Sequence, residues 1–184
     1  MMITIPSVET ERLILRGWRE EDFEPFAGFM ADPEVTRYLS GVQSRTDAWR
    51  IFATTIGHWV LRGFGFWAVE RKSDGALIGR IGLLRPEGWP SIEVGWTLGR
   101  EYWGRGYATE AAKASLDYGF LNYDVPKLIS MIDPDNRASQ RVAERLGESR
   151  GALTELSIFG HSYPVEIWEI TREDWTKART ASRG

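Results

Sequence analysis

Residues 93–112 read Glu-Val-Gly-Trp-Thr-Leu-Gly-Arg-Glu-Tyr-Trp-Gly-Arg-Gly-Tyr-Ala-Thr-Glu-Ala-Ala. A strand-like run to Leu98 enters a loop holding Gly104 and Gly106, and the loop opens a helix whose inward stripe is Ala108, Ala111, Ala112, Ser115, Leu116 and Phe120. The first backbone N–H groups of such a helix have no intrahelical partner and point one way. Together with the helix dipole they make a site for a phosphate or pyrophosphate. Glycine lets the backbone approach an anion with no Cβ in the way, and it equally serves a turn that needs only positive φ, so loop chemistry by itself leaves both readings open. The patterns GxxxxGK[ST] and GxGxxG are both missing, which removes support for nucleotide hydrolysis and for dinucleotide binding.

Outward from this stretch the hydrophobic period changes several times. Toward the N-terminus, Glu11 to Arg16 reads as a strand, and Glu20-Glu21-Asp22 opens a helix with Phe23, Phe26, Ala27 and Met30 on one face. Asp32-Pro33 caps a second short helix through Val35 and Leu39, and a longer one follows Asp47 with Ala48, Ile51, Phe52, Thr55 and Trp59 inward, ending at Gly63. Phe66 to Glu70, Leu77 to Leu84 and Ser91 to Leu98 are strands of an antiparallel meander. Toward the C-terminus come a short strand from Leu128 to Ile132, a helix from Asp135-Asn136 to Gly147, strands from Leu153 to Phe159 and Tyr163 to Ile170, and a last helix with Thr171 and Asp174 resembling a capping box. The helix between the strand ending at Leu98 and the one at Leu128 makes that pair parallel within a mostly antiparallel sheet. The expected fold is therefore mixed α/β, a central sheet flanked by helices, and residues 1–184 form a single domain.

Composition bounds the function. The 23 basic and 26 acidic residues give a net charge of −3, so no basic excess is available for a nucleic-acid backbone. No apolar stretch approaches the roughly 20 residues that cross a bilayer, and the start at Met1 lacks the features of a secretory signal, which makes cytoplasmic the simplest location. Cysteine is absent, so disulfides, thiolate metal sites and a cysteine-bound acyl intermediate are excluded. His58 and His161 lack metal-ligand spacing, and no metal is expected. The nine tryptophans can serve core, pocket or interface.

Trp103-Gly-Arg-Gly-Tyr-Ala108 after a strand, followed by Thr-Glu-Ala, resembles the acetyl-coenzyme A loop of the Gcn5-related N-acetyltransferases (GNAT), whose pattern is Gln/Arg-x-x-Gly-x-Gly/Ala. Thr10-Glu-Arg-Leu-Ile-Leu-Arg16, Asp32-Pro33-Glu-Val, Ile78-Gly79, Glu93-Val-Gly-Trp and Asp135-Asn-Arg-Ala-Ser-Gln140 through Leu146-Gly147 are similar, in order and spacing, to the branch that acetylates N-terminal amines of ribosomal proteins. Trp103 departs from the general Gln/Arg position.

The resemblance implies an acyl-CoA N-acyltransferase fold in which a parallel strand pair splays apart. It implies acetyl-CoA as the donor and a primary amine as the acceptor, with the chain a monomer or homodimer. Backbone N–H groups of Gly104, Arg105, Gly106, Tyr107, Ala108 and Thr109 would hold the pyrophosphate. Main-chain groups of Trp96, Thr97 and Leu98 would pair with the pantetheine arm, to which Asn136 would also bond. Arg105 would add charge at a phosphate or sit solvated.

Direct attack in a ternary complex needs a neutral amine, a stabilised thioester oxygen and a protonated leaving thiolate. Glu93 is the candidate base, or a strand glutamate held in a salt bridge. Ser139 is the candidate acid, or a small residue packed under the coenzyme. A strand N–H between Val94 and Trp96 would hold the oxygen. Many family members place a tyrosine acid where Ala143 stands here. Tyr38, Trp67 and Trp89 would border the acceptor groove. A small-molecule amine acetyltransferase, or a module that binds coenzyme A without transfer, are the other readings.

Overall fold

The structure, a computed structural model, describes residues 4–158 and 161–181. Eight strands form one sheet in the order β1-β2-β3-β4-β5-β6-β8-β7. They are β1 (Val8–Glu9), β2 (Leu13–Arg16), β3 (Phe66–Arg71), β4 (Leu77–Leu84), β5 (Glu93–Leu98), β6 (Lys127–Ile132), β7 (Ser149–Ile158) and β8 (His161–Thr171). The helices are α1 (Phe23–Ala31), α2 (Pro33–Thr36), α3 (Arg45–Arg62), α4 (Tyr107–Asn122), α5 (Arg137–Leu146) and α6 (Arg172–Ala181). Every pairing is antiparallel except β5 with β6. That is the mixed sheet expected from the helix crossover.

The two faces of the sheet are covered separately, as the two-residue alternation of side chains dictates. One face carries Leu15, Trp67, Val69, Ile81, Leu83 and Val94 beneath Ala111, Ala112, Leu116 and Phe120 of α4. The other carries Ala68 and Leu77 beneath Phe26 and Met30 of α1 and Ala48 and Phe52 of α3. Small residues on the inward stripe of α4 bring its axis close to β4 and β5, which fixes where its N-terminus meets the end of β5.

The differences from the expected elements are local. The strand expected from Glu11 begins at Leu13 as β2, after the additional short β1, because Thr10 N–H bonds the Leu13 carbonyl at 3.0 Å and turns the chain between the two. The second helix ends at Thr36, short of Leu39. Ser44 caps α3, its hydroxyl accepting from Asp47 N–H, so the helix starts ahead of Asp47. β7 starts at Ser149 because residues with no apolar alternation pair with β8 across a register shift between Arg150 and Leu153. Phe159, Gly160 and the His161 side chain lie outside the described residues. Thr171 caps α6, its hydroxyl accepting from Asp174 N–H at 3.1 Å. Among the described residues no helix is long and apolar enough to cross a membrane, and no group of His, Cys, Asp and Glu is placed to hold a metal ion.

Candidate active site

The parallel pair is joined at one register position, Glu93 opposite Ile129, whereas β6 continues pairing with β8 through Ile132. Beyond Glu93 the two strands separate. Three partners show which backbone groups of β5 face the gap. Ile92 O accepts from Ile129 N–H at 3.0 Å, Val94 O from the Ser130 hydroxyl at 2.8 Å, and Leu98 O from the Trp103 indole at 2.9 Å. Even-numbered residues therefore turn their main-chain groups to the gap, and odd-numbered ones belong to the ladder with β4. The expectation for Thr97 is corrected on this ground: its main-chain groups face β4, where it pairs with Arg80. The Leu98 carbonyl is occupied by Trp103. Trp96, the first even residue past the last parallel rung and past the Ser130 contact, offers both N–H and C=O to an extended arm lying in the gap.

A cavity of about 1070 Å³ opens from this gap and is lined by Tyr38, Trp96, Thr97, Leu98, Gly104, Gly106, Tyr107, Ala108, Thr109, Asn136 and Ser139, among others. At one end is the glycine loop. Gly104 and Gly106 have φ of 72° and 79°, the left-handed region that a β-carbon disfavours. Gly106 is the N-cap of α4 with no side-chain cap, and the first helical bond is Glu110 N–H to Gly106 O at 3.0 Å, which leaves the N–H groups of Tyr107, Ala108 and Thr109 without helical acceptors. These are the features an anion site at a helix terminus needs.

The loop is held from outside by Thr10 and Arg12, which lie outside the site expected from sequence. Arg12 Nη1 donates to Arg105 O at 2.9 Å, and Arg12 Nε and backbone N–H donate to Glu110 at 2.6 and 2.8 Å. Thr10 adds a bond to Glu110 at 2.6 Å. Burial pushes the Glu110 carboxyl up, but the bonds from Thr10 and Arg12 outweigh it and hold the group below its ordinary range. The Arg105 side chain is exposed and outside the cavity lining.

At the other wall Asn136 caps α5, its Oδ1 accepting from Ser139 N–H at 3.1 Å, so the amide Nδ2 is left to donate into the cavity. Ser139 Oγ accepts from the Trp96 indole at 3.2 Å. That bond uses an acceptor site of the hydroxyl and leaves its hydrogen free to donate to a thiolate.

Glu93 lies on the opposite face of the sheet from Trp96. Trp89 Nε1 donates to Glu93 Oε2 at 2.6 Å. Burial pushes the carboxyl up to about 7, while the Trp89 and Met131 N–H groups and the charge of Arg80 pull the other way. Trp89 thus orients the candidate base. On the α5 side, Glu148 is 5% exposed, its Oε1 is 2.9 Å from Ser130 Oγ, and its Oε2 is buried without a partner. Burial pushes it up to about 8, the Ser130 bond opposes, and the nearby Glu93 charge adds to the rise. Ser130 has one hydrogen, which reaches either Val94 O or Glu148 Oε1, so the hydroxyl links the strand carbonyl to the buried carboxyl.

Trp67 is corrected as an acceptor-groove residue. It is 0% exposed, its indole N–H is bonded to Pro6 O at 2.7 Å, and its ring packs edge-on against Trp59 and Tyr118. Its strand register turns it to the α4 face, away from Glu93. Arg80 and Ser130 each stand as one polar residue among apolar ones on a strand, and Glu148 follows the Gly147 cap of α5 among polar neighbours, so no motif marks any of the three.

The GNAT acetyltransferase domain family matches residues 12–148. YkkB, an uncharacterized protein of Bacillus subtilis, is 36% identical over 148 residues, covering 75% of this chain and 82% of its own. YnaD, an uncharacterized N-acetyltransferase of the same organism, is 29% identical over 171 residues, covering 91% and 98%. The solved acetyltransferase of Agrobacterium tumefaciens superposes with a TM-score of 0.80 at 32% identity, covering 94% of this chain and 98% of that one. With the glycine loop, the separated parallel strands and the cavity between them, these matches establish that the chain belongs to the GNAT acetyltransferases, which take their acetyl group from acetyl-CoA.

Proposed function

We propose that the chain acetylates the α-amine of a peptide N-terminus by direct attack in a ternary complex, with Glu93 as base and Ser139 as the donor to the leaving sulfur. Acetyl-CoA supplies the activated acetyl group. Tyr107, Ala108 and Thr109 N–H groups bind its pyrophosphate, and Asn136 and Trp96 orient its arm. Trp96 N–H, open to the gap, is the donor to the thioester oxygen in this reading. Glu93 takes the proton of the amine, directly or through one water, and Tyr38 borders the approach. Ser139 stabilises the thiolate through the hydrogen that its bond with Trp96 leaves free.

The observation that carries this reading is the placement of Glu93 and Ser139 on opposite sides of a gap that opens one residue beyond Glu93. A base on one face and a thiolate donor on the other suit an acceptor and a donor that meet through the sheet. Support for the peptide acceptor comes from the ordered motifs shared with the branch acting on ribosomal-protein N-termini.

The test is acetyl transfer from acetyl-CoA to a panel of peptide N-termini and small amines by the wild-type chain and Glu93→Gln. Transfer to peptides with a loss of about 10²–10⁴ in kcat on substitution is expected for a general base. Transfer to small amines alone overturns the peptide acceptor, and an unchanged rate in Glu93→Gln overturns the base.

A further inference from the structure

Two arginines on the α1/α3 face of the sheet are treated in opposite ways. Arg16 is 7% exposed and fully provided for. Its guanidinium bonds Asp22 at 2.7 and 2.8 Å and Glu70 at 2.6 Å. Arg80, on β4 opposite Thr97, has no such partner. Its Nε is buried without a hydrogen bond, and among the described residues no carboxylate lies within 4.0 Å of its nitrogens. The guanidinium instead stands 5.0 Å over the Phe66 ring and 5.7 Å over the Phe26 ring.

Burial pushes the Arg80 pKa down to about 10, partly offset by the field of Glu93, so the group is still a cation at neutral pH. A desolvated cation without a counterion is costly, and two aromatic faces offset only part of that cost. The chain has the means to pair an arginine on this face, as Arg16 shows, and leaves Arg80 unpaired.

The place of that unpaired charge is informative. Glu93, Gly95 and Thr97 share one face of β5, opposite Leu84, Gly82 and Arg80 of β4. Arg80 and Glu93 therefore flank the stretch at which the strands separate, about 13 Å apart along the strand direction and one strand spacing across. The residue is partly exposed, so the guanidinium has an open side. The rings pack against the guanidinium carbon, and among the described residues no protein acceptor is bonded to its two Nη groups, a pair of donors that can receive a carboxylate in bidentate fashion.

We propose that Arg80 receives a carboxylate of the acceptor, so that the amine acetylated here carries an acidic group close to its amino group. This rests on the proposed amine transfer at Glu93. The same chemistry can come from a free amino acid or from an acidic residue beside a peptide N-terminus. A polyamine brings a second cation toward Arg80 and is a poor acceptor.

The test measures kcat/KM of the purified full chain with saturating acetyl-CoA on acceptor pairs that differ only in the carboxylate. The pairs are amino acids with their amides, and peptides with Glu or Gln at the second position, with spermidine as a further acceptor. The carboxylate member is expected to exceed its partner by about 10- to 100-fold, the worth of a hydrogen bond to a charged group. The pair showing that preference identifies the source. With rates taken at a pH above the titration of Glu93, whose carboxyl the Arg80 charge helps to hold down, Arg80→Gln removes the preference for the carboxylate member, and Arg80→Lys, which keeps the charge without the fork, restores part of it. Acetyl-CoA affinity of both variants stays at the wild-type value, which shows the donor site intact. Equal use of both members, efficient use of spermidine, or a preference that survives in Arg80→Gln overturns the assignment while leaving amine transfer in place. Acetyl-CoA binding with no transfer to any acceptor overturns the proposed function, and this inference with it.

Discussion

Replacing Trp89 by Phe removes one donor, the indole N–H that lies 2.6 Å from Glu93 Oε2, and keeps most of the ring. The wild-type carboxyl is balanced between burial, which pushes it up, and this bond, which is the first of the influences holding it down, with a net position of about 7. A hydrogen bond to a charged group is worth about 1.5–3 kcal/mol, and 1.36 kcal/mol moves a pKa by one unit, so its loss raises Glu93 by roughly 1–2 units. The base works deprotonated. At pH 7 the active fraction therefore falls from about one half to between about one tenth and one hundredth, a loss of roughly 5- to 50-fold, and the loss disappears as pH rises past the new pKa. The assay is the pH profile of kcat/KM by release of free coenzyme A thiol, with one acceptor used for both proteins so that the acceptor's own titration cancels. The expected result is an alkaline displacement of the ascending limb with an unchanged plateau. A limb that stays in place beneath a lowered plateau would refute the reasoning, because Trp89 would then be supporting the site without setting the protonation of Glu93.

Three further outcomes follow from the same geometry. Gly106→Val places a β-branched residue at φ 79° beside the free N–H groups of α4, and acetyl-CoA affinity measured by calorimetry should fall at least about tenfold with little change in the rate at saturation. Ser139→Ala removes the hydroxyl that accepts from Trp96, and kcat should drop about 10- to 100-fold while acetyl-CoA binding is nearly kept; an unchanged kcat assigns Ser139 to packing alone. Glu148 is raised from 4.5 to about 8, so the folded state holds a proton that the unfolded state releases between these values, and stability falls across that window by up to about 1.4 kcal/mol per pH unit. Glu148→Gln should flatten the decline of Tm between pH 5 and 8, and a slope equal to wild type would show that Glu148 is ionised in the fold.

The order of elements and the glycine loop were legible because each rests on local rules. A helix stripe of small residues, glycines at a helix start and Asn136 at a cap are decided within a few residues of themselves. Trp67 shows the limit of such rules. Its strand was read correctly, but which face an alternating position takes depends on register against β2 and β4, and register here turns Trp67 to the α4 side. Thr97 fails for the same reason at the level of the backbone: whether its N–H points to β4 or to the gap is a question of parity along β5, which the Ser130 and Trp103 contacts answer. Arg12 and Glu110 are 98 residues apart, and nothing local marks a pair that closes over such a separation.

The gap itself is where these levels meet. Sheets close their ladders wherever they can, since an unpaired buried backbone group is costly. This chain stops the β5–β6 ladder after one register position and then spends a serine hydroxyl on the next carbonyl, Val94, where a strand partner would otherwise stand. Ser130 is in turn 2.9 Å from the buried Glu148 carboxyl, so the end of the ladder is capped by side chains and the groups beyond it stay open for the arm of acetyl-CoA. Glu93 stands at that same last rung. The position at which the strands part is therefore also the position of the proposed base, and a substitution at Ser130 that let β6 pair further would close the donor channel before it disturbed the carboxylate. Ser130→Val, which fills the volume without donating to Val94, should weaken acetyl-CoA binding more than it shifts the pH profile set by Glu93; the opposite order would separate the channel from the base and break the link drawn here.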